Sequence, residues 1–350
     1  MTTLMRNILE WIYGVVGSYG VAVVLFTLLI RTILTPLEVK SRKGMRKMGE
    51  IQPKLNALQQ KYGKDQAKLQ QKQQELMKKE HYNPLSGCLP MLIQWPILFI
   101  MFYAMRDVAN NNIVNQAFTF LQGQLPSFEP FLWVKNVFMA DSPFKTAAVD
   151  ATSLISAGAK DWEAVLATLS QTQLDTILAN IRAAVPAAAE LAQGEILNFS
   201  STAAVRTTVE TYIMPTLQNL PLYQQQVAAV PGWQNVSFLL FHVTLYKQFN
   251  GLLILPILSG ITQVMMTKLN PSMQTPQTGD AQSQQSNSMN NFMKYFFPLF
   301  SVFICLTSNA GFALYWSAIN VFATGQSILI NKYLDSKNAS TQVDGEDAVK

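Results

Sequence analysis

Apolar residues in this chain gather into long runs instead of recurring at the three- and four-residue intervals of a soluble amphipathic helix. Between Tyr19 and Leu37 nearly every position is apolar and the only charge is Arg31. At about 1.5 Å per residue such a run matches a hydrocarbon layer of roughly 30 Å. Further runs cover Cys88 to Met105, interrupted by Pro90 and Pro96, then Phe249 to Thr267, Tyr295 to Thr307 and Phe312 to Ile330. Ahead of the first run, Leu4, Ile8, Trp11, Ile12 and Val15 fall at helical spacing with Arg6, Asn7 and Glu10 between them, the pattern of a helix lying in the membrane interface. After Pro36 the pattern becomes amphipathic, with Met45, Met48, Ile51, Leu55, Leu58 and Tyr62 on one face and a kink expected at Pro53. Gly63-Lys64-Asp65 breaks it, and a Gln-rich arm through Leu69, Leu76 and Met77 completes a helical hairpin.

These elements predict an all-α polytopic membrane protein with a five-helix core and a cytoplasmic helical hairpin. The segments are an outer interfacial helix (1–18), a first span (19–37), the basic hairpin (38–82), a second span (83–108) and an outer loop with a helical insertion (109–248). A third span (249–268), a polar cytoplasmic linker (269–291), a fourth span (292–308), a fifth span (311–331) and a cytoplasmic tail (332–350) follow.

Charge sets the orientation. The chain is +5 in total, while residues 38 to 80 alone carry twelve Lys/Arg against five Asp/Glu, which leaves −2 for the remainder. Residues 109 to 248 hold six Lys/Arg against nine Asp/Glu. Under the positive-inside rule the hairpin stays in the cytoplasm and the long loop is translocated, with the N-terminus outside and the C-terminus inside. Lys40, Arg42, Lys43, Arg46 and Lys47 are the hairpin cations expected to meet anionic lipid or RNA. Only 13% of residues are charged, half of what a soluble domain carries.

Little in the sequence suggests catalysis. Cys88 and Cys305 sit inside apolar runs and read as packing residues, and His81 and His242 stand alone, so no metal site, cofactor or enzyme activity is expected. No cleaved or lipidated start is expected either. The methionines of the second and third spans offer an adaptable apolar surface, although ordinary packing accounts for each of them.

Arg31 is different, because an arginine in a spanning helix costs about 2.5–3.5 kcal/mol even on a lenient insertion scale. No acidic residue lies in the other four runs. Thr27, one turn before it, with Gln94, Gln263, Ser317 and Asn320 from other spans, could line a wet groove around it. Snorkelling of Arg31 to the cytoplasmic headgroups is the other reading. A charged wet cavity would also suit a channel or transporter, and a basic hairpin would suit a passive assembly scaffold.

The string Tyr19-Gly20 through Thr27-Leu28-Leu29-Ile30-Arg31 to Pro36, followed by Gln52-Pro53-Lys54-Leu55, resembles the core of the YidC/Oxa/Alb membrane insertase family, bacterial YidC type. Asn83-Pro84-Leu85-Ser86-Gly87-Cys88-Leu89-Pro90 and Gln94-Trp95-Pro96-Ile97 resemble its second span, and Phe131-Leu132-Trp133 its outer loop. Leu255-Pro256 with Gly260 resembles the third span, and Ala310-Gly311 through Leu314-Tyr315-Trp316 with Asn320 the last turn and span. The resemblance covers 1–143 and 249–333 and leaves out 144–248. It implies an insertase and chaperone for membrane proteins that uses no nucleotide, with Arg31 in a hydrophilic groove open to the cytoplasm and to lipid, completed by Trp316. It implies a client slide formed by Trp95 and Pro96 with Leu299, Phe300, Ile304, Cys305 and Thr307. The implied partners are nascent or newly made membrane proteins, with the ribosome and a Sec translocon as open candidates, and the implied working unit is a monomer.

Overall fold

The computed structural model describes residues 2–82, 85–238, 241–269 and 292–347; side chains are described throughout these except at 2, 85–95, 238, 241, 292–293 and 337–347. Residues 270–291 of the expected linker therefore lie outside the described residues, and Leu269 closes a helix. The protein is an all-α polytopic membrane protein; among the described residues the only named strands form one short antiparallel hairpin, β1 (Val236–Phe238) with β2 (Phe241–Val243). Tyr19–Tyr62 and Ala310–Ser336 are long and apolar enough to cross a bilayer, and Ile254–Leu269 and Lys294–Thr307 are shorter apolar helices.

The chain folds as two compact units. One comprises Met1–Val24, Ile100–Ile257 and Ile304–Leu314. Its amphipathic helix α1 (Thr2–Val16) buries Leu9 and Ile12 and leaves Trp11 70% exposed. Glu129 ties α1 to the start of α2 (Tyr19–Tyr62), accepting from the Tyr13 hydroxyl at 2.9 Å and the Tyr19 amide at 2.8 Å. Burial, then the bond to Glu129 and its charge, push the Tyr13 phenol up to about 12, so this tie holds across the physiological range.

Helix α4 (Leu85–Leu121) runs on past residue 108 because its polar positions find partners in the insertion. Arg106 donates to the Ser156 carbonyl at 2.9 Å and Asn110 to Asp161 at 2.8 Å, while Val114, Ala117, Phe118 and Leu121 are buried. The insertion itself is a helical subdomain of short pieces: α5 (Ala151–Ser156), α6 (Ala159–Leu166), α7 (Gln171–Ala184), α8 (Gln193–Ile196), α9 (Thr202–Thr208), α10 (Met214–Asn219) and α11 (Pro221–Gln226). Its core centres on Trp162, stacked on Phe199 at 4.6 Å and edge-on to Phe118 at 5.4 Å, with the indole N–H donating to the Leu154 carbonyl.

Asp141 fixes the segment that leads into the next long helix. Its carboxylate accepts from the amides of Leu252, Leu253 and Leu255 at 2.7, 3.2 and 2.7 Å and from the Trp133 indole at 3.2 Å. Those amides open helix α12 (Ile254–Leu269), whose first N–H groups lack partners within the helix and favour a negative charge. Gly251 makes this approach possible, since a Cβ there would overlap the Asp141 carboxylate. Nearby, Asn136 and Asn250 exchange bonds: the Asn136 amide donates to Asn250 Oδ1 at 2.8 Å, and Asn250 Nδ2 donates back to the Asn136 carbonyl at 2.9 Å. The tight turn before the last helix (Ala310–Asp347) docks by Ala310 and Gly311 donating to the Met139 and Val137 carbonyls, each at 2.9 Å.

The other unit comprises Leu25–Phe99, Leu258–Phe303 and Tyr315–Lys350. In it α2 continues without a break through Pro36 and Pro53 to Tyr62, so the first apolar run and the first hairpin arm are one helix of 44 residues. The second arm, α3 (Gln66–Lys79), starts where Asp65 caps the Lys68 amide. Ile51, Leu55 and Tyr82 form the hairpin core with Met48, Leu76 and Met77 against them, and Lys54 pairs with Glu80 at 2.6 Å.

The insertion makes one acid-sensitive contact testable. Asp150 caps α5 and pairs with Lys145 at 2.6 Å; burial opposes the charge, but Lys145 and the Ser153 hydrogen bonds outweigh it and hold the carboxyl below its usual range. A carboxyl lowered in the folded state contributes stability above the unfolded value, near 3.9, and loses it as pH falls through the folded value. Asp150→Asn should therefore melt below wild type at neutral pH, by about 0.5 kcal/mol for a half-exposed pair, with the gap closing below about pH 4. Thermal unfolding of the full chain in detergent between neutral and acid pH reads this directly. A pH-independent gap would show that the ion pair contributes nothing.

Candidate functional site

Three helices of the second unit turn polar faces inward at depths where their outer faces are apolar. On α2 the face is Thr27, Arg31 and Thr35; on α12 it is Ser259, Thr262, Gln263 and Thr267; on the last helix it is Ser317, Asn320, Thr324 and Ser327. Each set recurs every three or four residues, so each forms a stripe on one side of its helix. All but Arg31 and Thr35 are buried. Leu28, Leu29, Ile261, Met265, Ile328 and Leu329 from the same helices are exposed. A soluble protein would hide the second set and wet the first, so this reversal marks the outer faces as lipid-facing.

The stripes are cross-linked. Asn320 Nδ2 donates to Thr262 Oγ1 at 3.3 Å, and Ser259 Oγ donates to the Ser301 carbonyl at 3.2 Å. Gln326 Nε2 donates to Thr35 Oγ1 at 2.7 Å and to the Arg31 carbonyl at 3.2 Å. Other hydroxyls turn back on their own helices, Thr35 to Arg31, Thr267 to Gln263 and Thr324 to Asn320, at 3.0, 2.9 and 2.8 Å. On these polar faces and the helix facing α12, Arg31 Nε, Gln263 Nε2 and Ser301 Oγ are buried without a hydrogen-bond partner. A buried donor left unmade costs about 1–3 kcal/mol, more when charged, so these atoms demand water or a guest. Gly260 lets the helix Phe297–Thr307 come close, since a Cβ there would strike the Val302 side chain.

Of the groove residues expected from sequence, Thr27, Arg31, Gln263, Trp316, Ser317 and Asn320 all fall in this unit; Arg31 is half-buried and the rest are buried. The side chains of Gln94 and Trp95 lie outside the described residues. Among the slide residues Pro96, Leu299 and Thr307 are exposed, Phe300 and Ile304 half-buried and Cys305 buried. Pro96, Leu299 and Phe300 belong to the second unit, while Ile304, Cys305 and Thr307 belong to the first. The hairpin cations differ among themselves. Lys40 and Lys43 are exposed and Lys47 half-buried, Arg42 is buried against Glu38, and Arg46 reaches Asp335 at 2.8 Å and the Asn331 carbonyl at 3.0 Å.

Sequence reasoning missed Thr35, Ser259, Thr262, Ser301, Thr324, Gln326 and Ser327. Their signal was present: small polar residues at three- and four-residue spacing within otherwise apolar helices.

Comparison with known proteins decides the family. The family model for the 60Kd inner membrane protein matches residues 11–338, nearly the whole chain. The chain belongs to that family. It is 41% identical over 133 residues to the protein named membrane protein insertase YidC of Clostridium perfringens, covering 38% of this chain and 50% of that one. Against the protein of the same name from Clostridium tetani it is 38% identical over 124 residues, 35% of this chain and 50% of the other. With that of Treponema denticola the identity is 27% over 329 residues, 94% of this chain and 37% of the other. The chain thus spans half or less of the length of these relatives. Membership in the 60Kd inner membrane protein family places the chain in the bacterial plasma membrane, and the matched range runs through 144–248, the segment left out of the resemblance.

Gln326 is the interhelical bond nearest Arg31, so its removal should loosen the seam. Gln326→Leu keeps the volume but leaves the Thr35 hydroxyl without its cross-helix donor. Interhelical bonds of this kind are worth about 0.6–2 kcal/mol. Thermal unfolding in detergent should fall by that amount, whereas Leu329→Ala on the exposed face should shift it less.

Proposed function

We propose that this chain is a membrane protein insertase and chaperone, with Arg31 as the cation of a hydrophilic groove open to the cytoplasm and to lipid. The observation that carries the reading is the enclosed, unpartnered Arg31 Nε, in the same unit as an unpartnered Gln263 amide and stripes of buried hydroxyls and amides. The name these relatives share, membrane protein insertase YidC, supports it. A protein that needed this seam only for packing would satisfy the cation with a resident carboxylate; here the seam offers it amides and hydroxyls.

The work follows from electrostatics and solvation. A client's polar, often acidic, outer segment crosses hydrocarbon only at high cost, because each unpaired polar group loses its water. Waters held by Arg31, Gln263, Ser317 and Asn320 shorten that barrier, and the guanidinium attracts the acidic segment. The client's apolar helix then leaves along the exposed slide, where Leu299 is 72% exposed, and gains about 25 cal/mol per Å² of apolar surface removed from water. That gain drives the step without nucleotide.

In this reading the five apolar runs span the membrane, the basic hairpin faces the cytoplasm and the insertion lies outside. The hairpin receives clients and meets anionic headgroups through Lys40, Lys43 and Lys47. The ribosome and a Sec translocon are further partners, and the working unit is a monomer.

The test is insertion of a single-span client into liposomes that contain only this chain. Wild-type protein should raise insertion above empty liposomes, and Arg31→Ala should lower it by an order of magnitude or so for an acidic outer segment, a coupling of about 1.4 kcal/mol. A maleimide confined to the aqueous phase should label Arg31→Cys, in a background without Cys88 and Cys305, and spare Leu29→Cys. Solute flux without insertion would favour a channel, and a sealed position 31 would sink the groove.

A further inference from the structure

Arg31 is not the only charge at the inner end of α2. Arg31, Thr35, Glu38 and Arg42 follow one another at intervals of four, three and four, and so share one face of the helix. Arg42 lies three residues beyond the apolar stretch's last aliphatic, Val39, yet it is 3% exposed, and both its Nε and Nη2 donate to one oxygen of Glu38, at 3.1 and 3.0 Å. Glu38 is itself mostly covered, with 18% of its side chain exposed. It shares its helix face with Arg31, seven residues earlier. Two turns of helix separate the two groups, a rise of about 10 Å, which a glutamate and an arginine can bridge between them.

This places a carboxylate between two guanidiniums, one of which is firmly bonded and the other short of partners. A client's acidic segment and Glu38 are then the same chemistry competing for the same cation. We propose that Glu38 is a built-in competitor for the groove and that Arg42 holds it back, so that the Glu38–Arg42 pair sets the preference for clients with acidic outer segments. The inference rests on the insertase reading and deepens it by naming what tunes client choice. A purely structural pair would behave differently. Loss of Arg42 would then weaken the protein for every client alike, because a buried carboxylate stripped of its partner destabilises the fold.

The experiment compares two clients in liposomes containing the full chain: a single-span protein whose outer segment carries aspartates, and its counterpart with asparagines at the same positions. Arg42→Gln should lower insertion of the aspartate client about fivefold, the low end of coupling between sites, and leave the asparagine client unchanged. Adding Glu38→Gln to Arg42→Gln should restore the aspartate client, and Glu38→Gln alone should insert it at least as well as wild type. Melting temperatures of all three variants in detergent report folding separately. Equal losses for both clients, or a double variant no better than Arg42→Gln, would overturn the proposal. Wild-type chain that inserts neither client above empty liposomes would instead refute the insertase reading itself.

Discussion

A guanidinium at bilayer depth has to be solvated by something, and much of the second unit is arranged around that need. Most polar groups in the seam answer one another: Asn320 bonds Thr262, Ser259 bonds the Ser301 carbonyl, Gln326 bonds Thr35 and the Arg31 carbonyl. Had every group been matched in this way, the seam would be ordinary helix–helix glue of the kind small polar residues provide in membranes. Arg31 Nε, Gln263 Nε2 and Ser301 Oγ are buried there without a hydrogen-bond partner.

Helix length works in the same direction. The 16 residues of Ile254–Leu269 rise about 24 Å, short of a hydrocarbon layer of roughly 30 Å, and Lys294–Thr307 is shorter still. Short apolar helices thin the bilayer around them or draw polar flanks inward, at a fraction of a kcal/mol per Å. Leu299 and Phe303, both strongly exposed, lie on the shorter of these helices. Lipid beside that face meets a thin apolar band backed by buried hydroxyls. A polar segment crossing there would have less oil to traverse.

Long-range periodicity made much of this legible in the sequence, and partner choice did not. Unbroken apolar runs announce membrane helices, because water and oil sort residues by type whatever the neighbours are. The end of a run is a weaker guide to the end of a helix. Pro36 and the charges after it suggest a boundary near residue 37, yet α2 carries through to Tyr62 because the Ile51 and Leu55 stripe packs on Tyr82. Helix α4 outruns its apolar stretch for the same reason, once Arg106 and Asn110 have partners in the insertion. Cations listed by composition as one basic patch also part company: Lys40 and Lys43 face water while Arg42 is buried on Glu38. Which of several like charges is free depends on a neighbour's side-chain geometry, which spacing alone does not encode.

Where the carboxylates go completes the picture. Glu129 accepts from the Tyr13 hydroxyl and the Tyr19 amide, and Asp141 from three backbone amides at the start of α12 and the Trp133 indole. Both are committed to donors that would otherwise be orphaned at helix starts, where negative charge is most favourable. Glu38 is committed to Arg42. A resident carboxylate released from such a site would leave several donors unmade and cost more than pairing with a half-buried arginine returns, so the chain's own acids stay where they are. The cation in the seam is thereby kept short of an internal anion by bonds made elsewhere in the fold. An acidic segment arriving from outside the chain can offer what these residues cannot.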